Sequence, residues 1–96
     1  MEEAYALAVQ RLARAIRATR LSRNMSQERL AEGAGVAPRH LQDLEGAALA
    51  GKSANPTFET LWQIARTLDV PLSTLMDGEV EEPDRDRATK SRLKNG

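Results

Sequence analysis

Apolar residues recur at helical spacing in the first quarter of the chain. Between positions 2 and 22 they return every three or four residues, a period that places them on one face of a helix. This stripe consists of Tyr5, Val9, Leu12 and Ile16. The pattern predicts a helix over residues 2–22 with the stripe buried. Asn24 then fits a left-handed backbone beyond the helix, and Met25 is expected to enter the core.

Two shorter helices are predicted next, with a glycine between them. Ser26 is typical of a helix N-cap, and a helix over residues 27–33 follows it. Its apolar face is formed by Leu30, Ala31 and Ala34. Gly35 tolerates the left-handed backbone that ends such a helix. Pro38 suits the first position of a second helix, over residues 38–46, because the N–H that proline lacks is not needed there.

The second of these helices has two different faces. Leu41, Leu44 and Glu45 point one way, whereas the opposite face carries Pro38, Arg39, Gln42 and Asp43. Two short helices, each with one apolar face and joined by a tight glycine turn, are typical of a helix-turn-helix. The motif is predicted over about residues 26–46, and the small Ala31 is expected where its two helices cross.

Helical periodicity returns after position 56. Thr57 is a suitable N-cap, and Asp69 a suitable left-handed residue after the helix. Between them the predicted core face consists of Phe58, Leu61, Ile64, Ala65 and Leu68. Pro71 then begins a short fifth helix, over residues 71–76. This end holds more apolar side chains than one small core needs, and they are either core or a dimer patch: Trp62, Leu72, Leu75 and Met76.

Composition limits the possible functions. Ninety-six residues make one domain, predicted over 1–78, followed by a charged tail over 79–96 that is expected to be disordered. There is no cysteine and one histidine, so neither a metal site nor a catalytic group is expected, and the chain is predicted to be neither an enzyme nor cofactor-dependent. No membrane span or signal peptide is visible, which predicts a cytoplasmic protein.

Residues 26–46 resemble the helix-turn-helix of the phage-repressor family, the Cro-like or XRE-like regulators. The matching residues are Gln27, Leu30, Ala31, Gly35, Val36, Leu41, Leu44, Glu45 and Gly46, and the resemblance extends over roughly residues 10–76. It implies an all-α, compact five-helix lambda-repressor-like domain. It also implies a prokaryotic transcription regulator, such as a repressor, that binds double-stranded DNA. As a homodimer on a palindromic operator, it would place residues 37–46 in the major groove.

The resemblance assigns roles to individual residues. Arg20 is expected to pair with Glu45, and Gln27 is expected to contact a phosphate. Arg39 is the strongest candidate for reading a base, because its guanidinium fits guanine bidentately. The Gln42 side chain suits adenine, but the family's matching position is not its main base reader. Asp43 does match a main reading position, and it either accepts from cytosine or orients Arg39.

Other positions are less defined or depart from the family. Pro38 lies on the same face as Arg39, and His40 is either a phosphate contact or merely exposed. Ala37 stands where the family commonly has Ser or Thr. The predicted loop over 47–55 is longer than usual. Lys52 and Ser53 are its only candidates for phosphate contact, and the alternative is a mobile surface loop. The basic end of the tail over 79–96 either contacts DNA or is idle.

The balance of 14 basic and 14 acidic residues argues against strong non-specific DNA binding. It leaves open a second hypothesis, a protein-interaction module or antitoxin-like partner on the same fold. Five arginines recur at every third position from Arg11 to Arg23, a row that winds around the first helix rather than forming a single basic stripe.

Overall fold

The described part of the chain folds into five helices. The computed structural model describes residues 2–50 and 56–78. In this part of the chain there is no strand, and the helices are α1 (Glu2–Ser22), α2 (Gln27–Ala34), α3 (Pro38–Ala50), α4 (Phe58–Leu68) and α5 (Leu72–Met76). The predicted all-α class with five helices is therefore confirmed. The tail over 79–96 lies outside the described residues.

The helix ends lie where the capping residues predict them. The Ser26 hydroxyl accepts a hydrogen bond from the Arg29 N–H at 3.0 Å, and Thr57 accepts one from the Thr60 N–H at 3.1 Å. Each bond satisfies an N–H that the first turn of a helix leaves without a partner. Asn24 and Asp69 adopt the predicted left-handed backbone, with φ of 56° and 62°. These four local predictions are confirmed.

One hydrophobic core joins all five helices. α1 packs against α3 and α5, while α2 packs against α4. Each helix contributes fully or almost fully buried side chains, among them Leu12, Ile16, Leu30, Leu41, Leu44, Ile64, Leu68 and Leu75. Burial of these side chains is the main favourable term in folding a domain of this size.

Two aromatic residues predicted to be buried are not. Tyr5 is 48% exposed and Phe58 is 71% exposed, although each shares a helical face with buried residues. Tyr5 lies in the first turn of α1 and Phe58 is the first residue of α4. The stripe on α1 is buried only from Val9 onward, so periodicity identified the correct face but overestimated how far along it the core extends.

The third helix is longer than predicted. It continues past Gly46 to Ala50, so the prediction that a loop begins at residue 47 is wrong. Gly46 does not have the positive φ of a helix-ending glycine. The residues that follow it are mostly alanine, which has the highest helix propensity, so continuing the helix is favourable.

The apolar residues near the C-terminal end divide between core and surface. Leu75 is fully buried, so of the two alternatives, core or dimer patch, it belongs to the core. Trp62 and Met76 are each 52% exposed, and Leu72 is partly buried against the core. Trp62 and Leu72 line an open groove of about 390 Å³ between α4 and α5.

Candidate nucleic-acid interface

A tight turn sets the two helices of the motif against each other. Gly35 has φ 71° and ψ 30°, and its N–H points back to the last carbonyls of α2. The Val36 N–H also reaches back, to the Ala31 carbonyl at 3.0 Å. Left-handed glycine with these two backward hydrogen bonds closes a helix and reverses the chain. Ala31 is fully buried at this point.

The third helix presents one polar face to solvent. On its inner side Leu41, Leu44 and Glu45 are buried. The outer side carries the exposed residues Pro38, Arg39, His40, Gln42 and Asp43. Ala37 precedes the helix and accepts the Leu41 N–H with its carbonyl at 3.2 Å, but it has no side-chain oxygen to cap the first turn.

A buried ion pair fixes the inner side of α3 to α1. Arg20 Nε lies 2.8 Å from Glu45 Oε2, and Arg20 Nη2 lies 3.0 Å from Oε1. The remaining guanidinium nitrogen, Nη1, donates to the Met25 carbonyl at 2.8 Å. Arg20 and Glu45 are 6% and 2% exposed. The planar fork therefore joins α1, the segment before α2, and α3 in one geometry.

Gln27 belongs to the same cluster, which the sequence did not reveal. Its Nε2 donates to Glu45 Oε1 at 3.0 Å. Gln27 is the first residue of α2, so this hydrogen bond connects the start of α2 to the end of the motif in α3. The Gln27 side chain, which the resemblance had suggested for a phosphate contact, is thus hydrogen-bonded to Glu45 within the protein. The backbone N–H of Gln27 lies in the first turn of α2, where the helix itself has no carbonyl in position to accept its hydrogen bond.

Arg39 and Asp43 lie one turn apart on the exposed face. Arg39 Nε is 3.8 Å from Asp43 Oδ1, and the two side chains are 85% and 68% exposed. This distance is too long for a hydrogen bond, and exposed pairs of this kind contribute little to stability. Both side chains are therefore available to a partner at low energetic cost.

The arginine row of α1 divides between the protein interior and its surface. Arg20 is buried. Arg23, the residue directly after α1, donates to the Leu68 carbonyl at 2.7 Å and so connects the end of α1 to the end of α4. Arg11, Arg14 and Arg17 are exposed. Lys52 and Ser53, predicted to contact phosphate, lie outside the described residues.

The sequence matches a known family over most of the folded part. The family model described as helix-turn-helix matches residues 16–75, which run from the last third of α1 to the last turn of α5. The chain belongs to this helix-turn-helix family. No curated protein and no solved structure matches it. The suspected membership of the Cro-like or XRE-like regulators is thereby confirmed.

Family membership gives the chain a coarse function. The chain is a DNA-binding helix-turn-helix protein of the regulator type. The first four turns of α1 precede the matched region.

Within residues 2–50 and 56–78, no helix is long and apolar enough to cross a membrane. In the same ranges, no group of three or more histidine and acidic side chains is arranged to hold a metal ion.

Proposed function

We propose that this protein is a sequence-specific transcription regulator that binds a palindromic DNA operator as a homodimer. Residues 1–78 would form the DNA-binding domain, acting in the cytoplasm of a prokaryote. One observation carries the proposal: α3 exposes a continuous polar face while the buried Arg20–Glu45 pair fixes its opposite side. A helix held rigidly with its polar face outward has the dimensions to enter the major groove.

Base reading would come from the exposed face of α3. Arg39 would donate bidentately to the acceptor edge of guanine, and Gln42 could pair with adenine. Asp43 would either accept from cytosine or hold Arg39 in position. The 3.8 Å separation of Arg39 and Asp43 supports the second role, because a small rotamer change would bring the two side chains into hydrogen-bond contact.

Phosphate contacts would surround this face. The backbone N–H of Gln27 at the positive end of α2 suits a phosphate oxygen, while its side chain stays on Glu45. His40 and the start of α3 at Pro38 are exposed and adjacent to the reading face. Lys52 and Ser53 remain candidates from the sequence.

Dimerisation would use the apolar surface of α4 and α5. Phe58, Trp62 and Met76 are exposed by half or more, and Leu72 is partly exposed beside the groove. Two-fold symmetry would place two recognition helices about 34 Å apart, one turn of DNA. Trp62→Ala should shift the protein toward monomer in sedimentation, whereas Leu7→Ala, a matched exposed apolar residue on α1, should not. Equal behaviour of the two variants would exclude this surface.

A second candidate is a protein-interaction module. The balance of 14 basic and 14 acidic residues favours it, as does the exposed carboxylate of Asp43 on the face that would meet DNA. Binding that falls steeply with salt at a defined DNA site would exclude this alternative.

Selection from a random duplex library tests the proposal. The protein should enrich a palindrome whose half-sites are centred about 10 bp apart. Arg39→Ala should lose discrimination at one position per half-site, by about 1–3 kcal/mol. Arg29→Ala, an exposed arginine on α2, should leave discrimination unchanged even if overall affinity falls. No enrichment at low salt would contradict the regulator and favour a protein partner.

A further inference from the structure

The exposed face of α1 is strongly basic. Arg11, Arg14 and Arg17 are all exposed. At 3.6 residues per turn they span about 120° of the circumference and about 9 Å of the axis. Between residues 4 and 22 the helix has no acidic residue. Among the described residues, no carboxylate forms an ion pair with any of the three. We call these three side chains the arginine face.

The chain leaves the folded domain directly beside this face. α5 packs against α1, and Gly78 follows it with φ 72°. A Cβ atom at Gly78 would overlap Cγ and Cδ of Arg11, so the backbone there lies on the methylene groups of that arginine. Glycine is needed at this position both for its left-handed backbone and for this close approach.

The residues that follow have the opposite charge. Positions 79–86 read EVEEPDRD, with acidic side chains at 79, 81, 82, 84 and 86 and a single arginine at 85. An extended chain advances about 3.3 Å per residue, so four residues beyond Gly78 are enough to reach past Arg17. Because the segment is attached to Gly78, which lies against Arg11, its effective concentration at the arginine face is in the millimolar range.

We propose that the acidic segment 79–86 binds the arginine face of α1 within the same chain. It would run from Arg11 toward Arg17, because the opposite direction leads to the acidic residues Glu2 and Glu3 at the start of α1. The contact neutralises the positive charge of the arginine face. The bound acidic segment therefore prevents other polyanions from binding the arginine face. These polyanions include the parts of the DNA backbone that the reading helix does not contact.

A nitroxide label can test the contact without DNA. The chain contains no cysteine, so Ala88→Cys gives one labelling site just beyond the acidic segment and changes no charge. In about 0.1 M salt, the amides of residues 17–22 should lose intensity through paramagnetic relaxation. At about 1 M salt, where the Debye length is near 3 Å, that loss should decrease toward the level that tethering alone produces.

Charge variants separate a specific contact from simple tethering. The double variant Arg14→Gln with Arg17→Gln should abolish the salt-sensitive part of the amide intensity loss at residues 17–22. Arg29→Gln, on α2, should preserve it. All three positions are exposed, so the variants should fold. The proposal is overturned if the loss does not respond to salt or is equal in both variants. It is also overturned if the loss is absent and the double variant instead binds random duplex DNA more weakly, because the arginine face would then be a DNA contact.

Discussion

Glu45→Gln should destabilise the domain severely. The Glu45 carboxylate accepts three hydrogen bonds, two from the Arg20 guanidinium and one from Gln27, at a site that is almost completely buried. Glutamine keeps the volume but removes the charge, and its NH₂ group must face a donor. Breaking a buried ion pair at one partner costs about 3–5 kcal/mol, because the other charge stays buried without compensation.

This loss is large relative to the stability of the whole domain. At about 0.05–0.15 kcal/mol per residue, a domain of this size has roughly 4–11 kcal/mol of unfolding free energy. Each kcal/mol corresponds to about 4–8 °C in Tm, so Glu45→Gln should lower Tm by about 12 °C or more. Urea and thermal unfolding followed by circular dichroism measure both quantities.

Two further variants make this test specific. Asp43→Asn is the same carboxylate-to-amide change on the exposed side of α3, and we expect it to cost less than about 0.5 kcal/mol. Arg20→Met combined with Glu45→Leu removes both charges and should recover most of the loss. If Glu45→Gln lowers the unfolding free energy no more than Asp43→Asn does, the buried pair does not hold α3 in place and the reasoning is refuted.

Three glycines give contrasting predictions, each measured by urea unfolding. Gly35→Ala should cost about 1–2 kcal/mol from its left-handed backbone alone, since no atom lies within 4 Å of the new Cβ. Gly46→Ala, helical and equally open, should instead stabilise by about 0.5–1 kcal/mol, and a loss there would mean that α3 does not continue through it. Gly33→Ala would place its Cβ 2.6 Å from Thr67 Cγ2, while the Thr67 hydroxyl is held by the Gln63 carbonyl at 2.8 Å. It should cost about 1–3 kcal/mol, and Thr67→Ser should relieve that cost; no relief would contradict the contact.

Local chemistry made the helices predictable. Ser26, Asn24, Thr57 and Asp69 act within one turn of their own positions, so their capping roles follow from residue type alone. The end of α3 was not predictable in this way. Gly46 suits either a helix end or a helix interior, and the mostly alanine residues after it favour continuation through their high helix propensity.

Features that depend on distant residues could not be predicted from pattern. Phe58 is the first residue of α4. The helical spacing of apolar residues includes it, but the core does not extend that far. The hydrogen bond from Gln27 to Glu45 joins residues 18 positions apart, so neither spacing nor composition indicates it. The Arg20–Glu45 pair, 25 positions apart, was anticipated through family resemblance.

The proposed interface can be mapped directly by nuclear magnetic resonance. Isotope-labelled protein would be titrated with the selected duplex, and the amide shifts recorded residue by residue. The account predicts that the largest changes fall at residues 27–28 and 38–43, the start of α2 and the exposed face of α3, with α4 changing little. Changes concentrated on α4 and α5, or spread evenly without saturation, would contradict the claim that α3 is the DNA-reading helix.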